Sequence, residues 1–330
     1  MWFPSIPGLG RSRSRTARLT RTASCRLFVE LLEDRTLPSF LAPVSYPAGN
    51  GGGGLVAVAD VDNDGTPDLI VPNYTDGTVS VFLGNANGTF QPARTSATGP
   101  SPYLLAVGDF NGDGKLDIVT ANNTVGGSMN LLLGNGDGTF QPPRTIATGT
   151  TPDSMVVGDV NGDGKLDIVL GRPSWNYPEQ YDVSVLLGNG DGTFRSPILS
   201  PMPFAYGVPD EIPISIALGD FNRDGKLDLV VADDYAGGPV QLLLGKGDGT
   251  FQAPMNVFSS SSFIPLSVAV GALTTTGNLD LVITGQVASS TGSFGEVVAL
   301  PGRGNGTFGT PFLLRVGTFS QLGGARRLQP

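Results

Sequence analysis

Residues 106–119 read Ala-Val-Gly-Asp-Phe-Asn-Gly-Asp-Gly-Lys-Leu-Asp-Ile-Val, and residues 131–140 read Leu-Leu-Leu-Gly-Asn-Gly-Asp-Gly-Thr-Phe. They are the two halves of a unit that recurs along the chain. Copies of the first half begin their loops at Asp60, Asp109, Asp159 and Asp220, at intervals of 49, 50 and 61 residues, and a degraded fifth copy places Ala272 where Asp220 stands. Copies of the second half lie at 84–90, 188–194, 245–251 and 302–308. Self-similarity at a period of about 50 residues marks a repeat architecture, and it governs the reading of every individual element.

Each unit reads as four short strands, at 104–107, 116–120, 129–133 and 141–147 in the second copy. Short apolar runs bounded by Gly, Asn and Asp are strand signals, and radially repeated four-stranded sheets make propeller blades. No helical periodicity is present, and the rungs of a β-helix are far shorter than this unit. The expected fold is all-β, a β-propeller of about five blades over 39–317, with a leader at 1–38 and a tail at 318–330. A sixth copy of the connecting strand begins at Ser39. One terminal copy, 39–49 or 307–317, can therefore complete the blade at the other end. A closed five-bladed ring is the expected arrangement; the alternative is an open arc with unpaired edges, or a fragment that associates with another copy.

In the first loop Asp60, Asp62, Asp64 and Asp68 occupy positions 1, 3, 5 and 9, with Gly65 at position 6 and the carbonyl of Thr66 at position 7. Alternating oxygen ligands around a sharp Gly turn suit a hard cation such as Ca²⁺. The other loops use Asp109, Asn111, Asp113 and Asp117; Asp159, Asn161, Asp163 and Asp167; and Asp220, Asn222, Asp224 and Asp228, with Lys115, Lys165 and Lys226 offering backbone carbonyls. About four Ca²⁺ sites are expected. The alternative, Asx turns with no ion, leaves the carboxylates crowded. In the fifth copy Ala272, Thr274 and Thr276 replace ligands while Gly277 and Asp280 persist, so that blade is expected to keep its turn without an ion.

The Gly-Asn-Gly-Asp-Gly-Thr-Phe segments read as hairpin turns, since Asn-Gly and Asp-Gly supply positive φ angles. Phe90, Phe140, Phe194, Phe251 and Phe308 read as core between blades.

Gly-Asp-Phe-Asn-Gly-Asp-Gly-Lys-Leu-Asp followed by Leu-Leu-Gly-Asn-Gly-Asp-Gly-Thr-Phe resembles the FG-GAP/VCBS repeat, related to the propeller of integrin α-subunits. The resemblance covers 39 to about 317. It implies a calcium-containing propeller, commonly of seven blades, where this chain supplies five units. The segment Leu32-Glu33-Asp34-Arg35-Thr36-Leu37-Pro38 resembles the LEPR-XLL type of N-terminal segment on exported bacterial surface proteins, departing from it at Asp34 and Pro38.

Composition narrows the function further. Residues 1–38 carry seven Arg against Glu30, Glu33 and Asp34, a net +4, which leaves −13 on the remainder of a chain whose total is −9. An acidic body argues against nucleic-acid partners and favours cations. The chain has no His, which removes Ser-His-Asp and Cys-His nucleophile systems and His-ligated zinc. Its sole cysteine, Cys25, lies in the leader. Leu27-Phe28-Val29 is cut short by Glu30, so the leader is not a standard signal peptide, and no apolar run is long enough for a transmembrane helix.

The 61-residue interval contains two insertions, at 171–182 and 200–215, both expected on the face opposite the acidic loops. They carry Trp175, Tyr177, Tyr181, Phe204 and Tyr206, with Tyr235 in the next repeat. Such aromatics serve as sugar-stacking or protein-contact anchors, or simply pack an insertion onto its scaffold. The expected function is a secreted or cell-surface calcium-binding module for adhesion or recognition of a protein or glycan, and not an enzyme. A lyase-like propeller enzyme acting on polysaccharide and a structural repeat scaffold are the alternatives.

Overall fold

A computed structural model describes residues 44–51, 55–172, 182–201, 213–287 and 293–319. Among these every regular element is a β-strand. The leader and the two segments 173–181 and 202–212, which carry the five insertion aromatics, lie outside the described residues.

Blade one contains β1 (Ala57–Ala59), β2 (Asp68–Asn73), β3 (Thr78–Phe82) and β4 (Arg94–Ala97). Blade two contains β5 (Pro102–Gly108), β6 (Asp117–Asn122), β7 (Ser128–Leu132) and β8 (Arg144–Ala147). Blade three contains β9 (Ser154–Gly158), β10 (Asp167–Arg172), β11 (Asp182–Leu186) and β12 (Ile198–Pro201). Blade four contains β13 (Pro213–Gly219), β14 (Asp228–Asp233), β15 (Val240–Leu243) and β16 (Met255–Phe258). Blade five contains β17 (Phe263–Gly271), β18 (Asp280–Val287), β19 (Ser293–Leu300) and β20 (Phe312–Phe319). Each is a four-stranded antiparallel meander in sequence order, so the 50-residue unit of the sequence is one blade.

The middle strands of blades two to four are buried on both faces because each of those sheets is covered by its neighbours. In blade two Val119, Ala121, Met129 and Leu131 share a core with Ile168, Leu170 and Leu186 of blade three. On the opposite face Ile118 and Leu132 join Ile70, Val79 and Val81 of blade one. These strands therefore read as continuous apolar runs and not as alternating ones. The outer strands of blades one and two are largely polar and exposed, as in Arg94 and Thr95 of β4. β8 begins at Arg144, later than the expected 141, because Pro142 and Pro143 have no N–H to give to a ladder.

The inner strands follow one another: β1 lies against β5, β5 against β9, β9 against β13 and β13 against β17. Among the described residues no comparable contact joins β17 to β1, so the closure of a five-bladed ring expected from the sequence is not seen. β20 supplies blade five with a fourth strand from its own repeat, so the N-terminal copy does not complete that blade. Two residues of that copy contact blade one: the Tyr46 ring meets Phe82 and Phe90 edge-on, and Gly49 donates its N–H to Ser80 Oγ.

Candidate metal centre

The acidic loops join the first and second strands of blades one to four, and their geometry follows from short side chains turning back onto the backbone. Asp60 accepts the N–H of Asp64 on Oδ1 at 3.1 Å and that of Gly65 on Oδ2 at 2.9 Å. Asp62 accepts from Asp64, and Asp64 from Thr66 at 2.7 Å. The same bonds recur in the loops beginning at Asp109, Asp159 and Asp220, with the N–H of Lys115, Lys165 and Lys226 donating to Asp113, Asp163 and Asp224. Position 4 takes positive φ whatever its residue: Asn63 at 57°, Gly112 at 74°, Gly162 at 74° and Arg223 at 61°. The Asx turns considered as an alternative are thus present, but each uses only some of the lone pairs a carboxylate or amide oxygen offers.

Asp60, Asp62 and Asp68 bring carboxylate oxygens within 4.8 Å of one another. Burial, followed by the nearby carboxylate of Asp68, pushes the Asp62 carboxyl up. In the next three loops an Asn at position 3 leaves fewer carboxylates. Burial still raises Asp117, Asp167 and Asp228, and the position-5 and position-1 carboxylates of the same loop add to the shift against opposing backbone hydrogen bonds. An all-oxygen donor set with uncompensated negative charge fits a hard divalent cation. The residues that would hold it are those at positions 1, 3, 5 and 9, with the position-7 carbonyl.

Position 9 has a second role that spacing alone did not reveal. Asp68, Asp117, Asp167 and Asp228 are fully buried, and each carboxylate ties two loops together. Oδ2 accepts the N–H of the position-2 residue of its own loop, as from Phe110 to Asp117 at 2.9 Å. Oδ1 accepts the N–H of the glycine that opens the second turn, as from Gly134 at 2.8 Å. A Cβ on Gly134 would stand 2.1 Å from the carbonyl oxygen of Leu116, so only glycine permits this approach. Gly84, Gly188, Gly245 and Gly302 are under the same constraint.

The second turns are hairpins, as expected. Gly134 and Phe140 form a bridge, Asn135 donates its N–H to Thr139 at 3.0 Å, and Gly136 and Gly138 take positive φ. The Asp137 carboxylate accepts both the hydroxyl and the N–H of Thr139, which hold it below the usual carboxylate range.

Position 2, which sequence reasoning passed over, connects each loop to the following blade. Val61, Phe110, Val160 and Phe221 are buried. Phe110 meets Phe194 of blade three at 6.0 Å, and Phe221 meets Phe308 of blade five at 5.6 Å. Val61 shares a core with Phe140, and Val160 with Phe251. Backbone bonds reinforce the joint: Gly192 donates to the Phe110 carbonyl and Gly306 to that of Phe221. The repetition of Val or Phe after each loop-opening Asp was the available signal.

In blade five Thr274 and Thr276 bond to each other through their hydroxyls, and Asp280 accepts from Leu273, Thr274 and Gly302. The turn is kept, as expected.

Of the aromatic patch, Trp175, Tyr177, Tyr181, Phe204 and Tyr206 lie outside the described residues. Tyr235 lies in the turn between β14 and β15, half-buried, with its carbonyl accepting the N–H of Gly238.

These features define a class: a repeat protein of four-stranded blades, each pair of blades joined beneath an oxygen-lined loop. The FG-GAP-like repeat family pattern matches residues 60–120, 109–170, 174–231 and 220–283, more than half of the chain, and the chain belongs to that family. No curated protein sequence matches it. Among solved structures it is similar to the Vibrio cholerae biofilm matrix protein Bap1, at 17% identity and a TM-score of 0.39 over 78% of this chain and 38% of that one. It is also similar to an endo-arabinase from Bacteroides thetaiotaomicron, at 12% identity and a TM-score of 0.48 over 84% of this chain and 98% of that one. Neither likeness is close enough to carry an argument about function.

Proposed function

We propose that the chain is an extracellular calcium-binding recognition module that acts by binding and not by catalysis. The observation that carries this reading is the coupling of each acidic loop to the next blade through its position-2 residue. Calcium held by such a loop neutralises crowded carboxylates directly above a blade joint. Occupancy therefore stiffens the array as well as the loop, in the way that ligand binding to the native state stabilises it. Four ions would bring +8 against the −13 of the body.

Extracellular millimolar calcium matches the affinity range of all-oxygen modules of this kind, about 10⁻⁴–10⁻³ M. The absence of cysteine beyond Cys25 is consistent with stability drawn from core burial and metal. A rigid scaffold of this type presents a ligand surface on its loops, the position where binding residues concentrate. The ligand class is an extracellular protein or glycan.

The test is a glycan and matrix-protein array probed with the purified chain in millimolar Ca²⁺ and in chelator, with a parallel assay for release of oligosaccharide from polyuronates. Calcium-dependent binding without turnover supports the reading. Polysaccharide cleavage, or binding indifferent to chelator, overturns it.

A further inference from the structure

The chain makes the same sheet-to-sheet interface four times and exposes both halves of a fifth. In blades one to four the face turned to the next blade is sealed. Val79 and Val81, Met129 and Leu131, Val183 and Val185, and Val240 and Leu242 all have 0% exposure. The corresponding face of blade five bears Thr284, Val297 and Ala299, together with Phe312, Leu314 and Val316 of the paired strand β20. Thr284 is exposed, and Phe312, Leu314 and Val316 are 66%, 64% and 47% exposed. Their counterpart in blade two, Ile146 opposite Met129, is half-buried against blade three.

The other half is at blade one. Val56 and Val58 are 55% and 64% exposed. They stand at the register positions held in blade five by Val268 and Val270, which are packed against blade four. Tyr46 covers Phe82 and Phe90 at the outer corner of this face but leaves the β1 side open.

We propose that the exposed face of blade five is an interface for the exposed face of blade one of a second copy of this chain. The partner is specified by continuity with the four existing joints: the surface complementary to the forward face of a blade is the rear face of another. Among the described residues β17 and β1 lack the packing that joins the other inner strands, and a second copy offers the missing complement to each. The contact is heterologous, head to tail, with different patches on the two copies. Burial of Phe312, Leu314 and Val316 supplies its apolar centre.

Disulfide trapping tests this, because Cys25 is the chain's sole cysteine. In a full-length Cys25→Ser background, Val56→Cys and Thr284→Cys are made separately and together. Thr284 and Val56 are the register equivalents of Ala232 and Val268, which share one core between blades four and five. Mixing the two single variants under mild oxidation should give a covalent dimer that neither gives alone. The parent should show concentration-dependent mass in sedimentation, and exposed Leu314→Lys should weaken association about ten-fold or more. A disulfide formed within monomers of the double variant would overturn the proposal in favour of ring closure. A parent that stays monomeric at high concentration, with no trapped dimer, would overturn it as well.

Discussion

Asp280 accepts the backbone N–H of Gly302 at 2.8 Å, in the one repeat whose loop has Ala272, Thr274 and Thr276 in place of the ligand residues. The last carboxylate of the loop is therefore retained where the rest of the ligand set is gone. Burial would raise its pKa, but hydrogen bonds from Gly302, Thr274 and Leu273 outweigh that and hold it below the usual range. At Asp117, Asp167 and Asp228 burial raises the same position, with neighbouring carboxylates contributing. Position 9 is thus a structural staple in all five blades, and under the proposed function it is a metal ligand in addition where its loop is acidic.

Asp280→Ala should destabilise the chain equally with and without calcium. It strands buried N–H donors that now bond a charged acceptor, at a cost of about 3 kcal/mol. Urea unfolding in chelator and in calcium measures this, and a loss confined to calcium would show that the staple role is wrong.

Asp113→Asn should behave in the opposite way. The amide oxygen can still accept the Lys115 N–H, so stability in chelator should change little. In saturating calcium the variant should lose the linkage contribution of one site, about 2.7 kcal/mol at a hundred-fold excess over Kd. Thermal melts of variant and parent across a calcium titration would reveal the difference.

Gly134→Ala should cost about 2–4 kcal/mol, because the new Cβ meets the Leu116 carbonyl and forces apart the Gly134–Asp117 bond. Gly271→Ala is the control: a Cβ there meets nothing within 4 Å, and the change should stay within about 0.5 kcal/mol. Equal effects from the two substitutions would contradict the close-approach argument.

Far from the acidic loops, burial pushes the Asp153 carboxyl up to about 6 from an ordinary value of 3.8, and its Oδ2 has no hydrogen-bond partner. The folded chain then holds a proton at this group that the unfolded chain has released, over the window between those two values. Its contribution to stability is greatest below that window and falls as pH rises through it. Asp153→Asn should abolish this part of the slope, matching the parent at low pH and exceeding it near neutrality. Urea midpoints across pH would check it, and parallel curves would refute it.

The fold was legible because five copies of one unit constrain each other. Strand order, the turn type after Leu133, the burial of Phe251 and the packing of half-buried Phe194 against the core all follow from aligning copies. What the copies do not encode is how a series ends, so ring closure could not be read from them. The dual role of Asp117 was hidden for a related reason. Ligand spacing explains the residue fully, and only its persistence as Asp280, beside an equally persistent Gly302, separates staple from ligand. Phe110 looked like a strand-end apolar residue, because the partner that gives it meaning, Phe194, is a whole repeat away.

Equilibrium dialysis of the purified chain against millimolar Ca²⁺, followed by elemental analysis, tests the central claim most directly. The account predicts uptake of four ions per chain, one for each loop opened by Asp60, Asp109, Asp159 and Asp220, and a fall to three in Asp113→Asn. Uptake indistinguishable from the dialysis buffer, in a chain that melts at the same temperature in chelator, would contradict it.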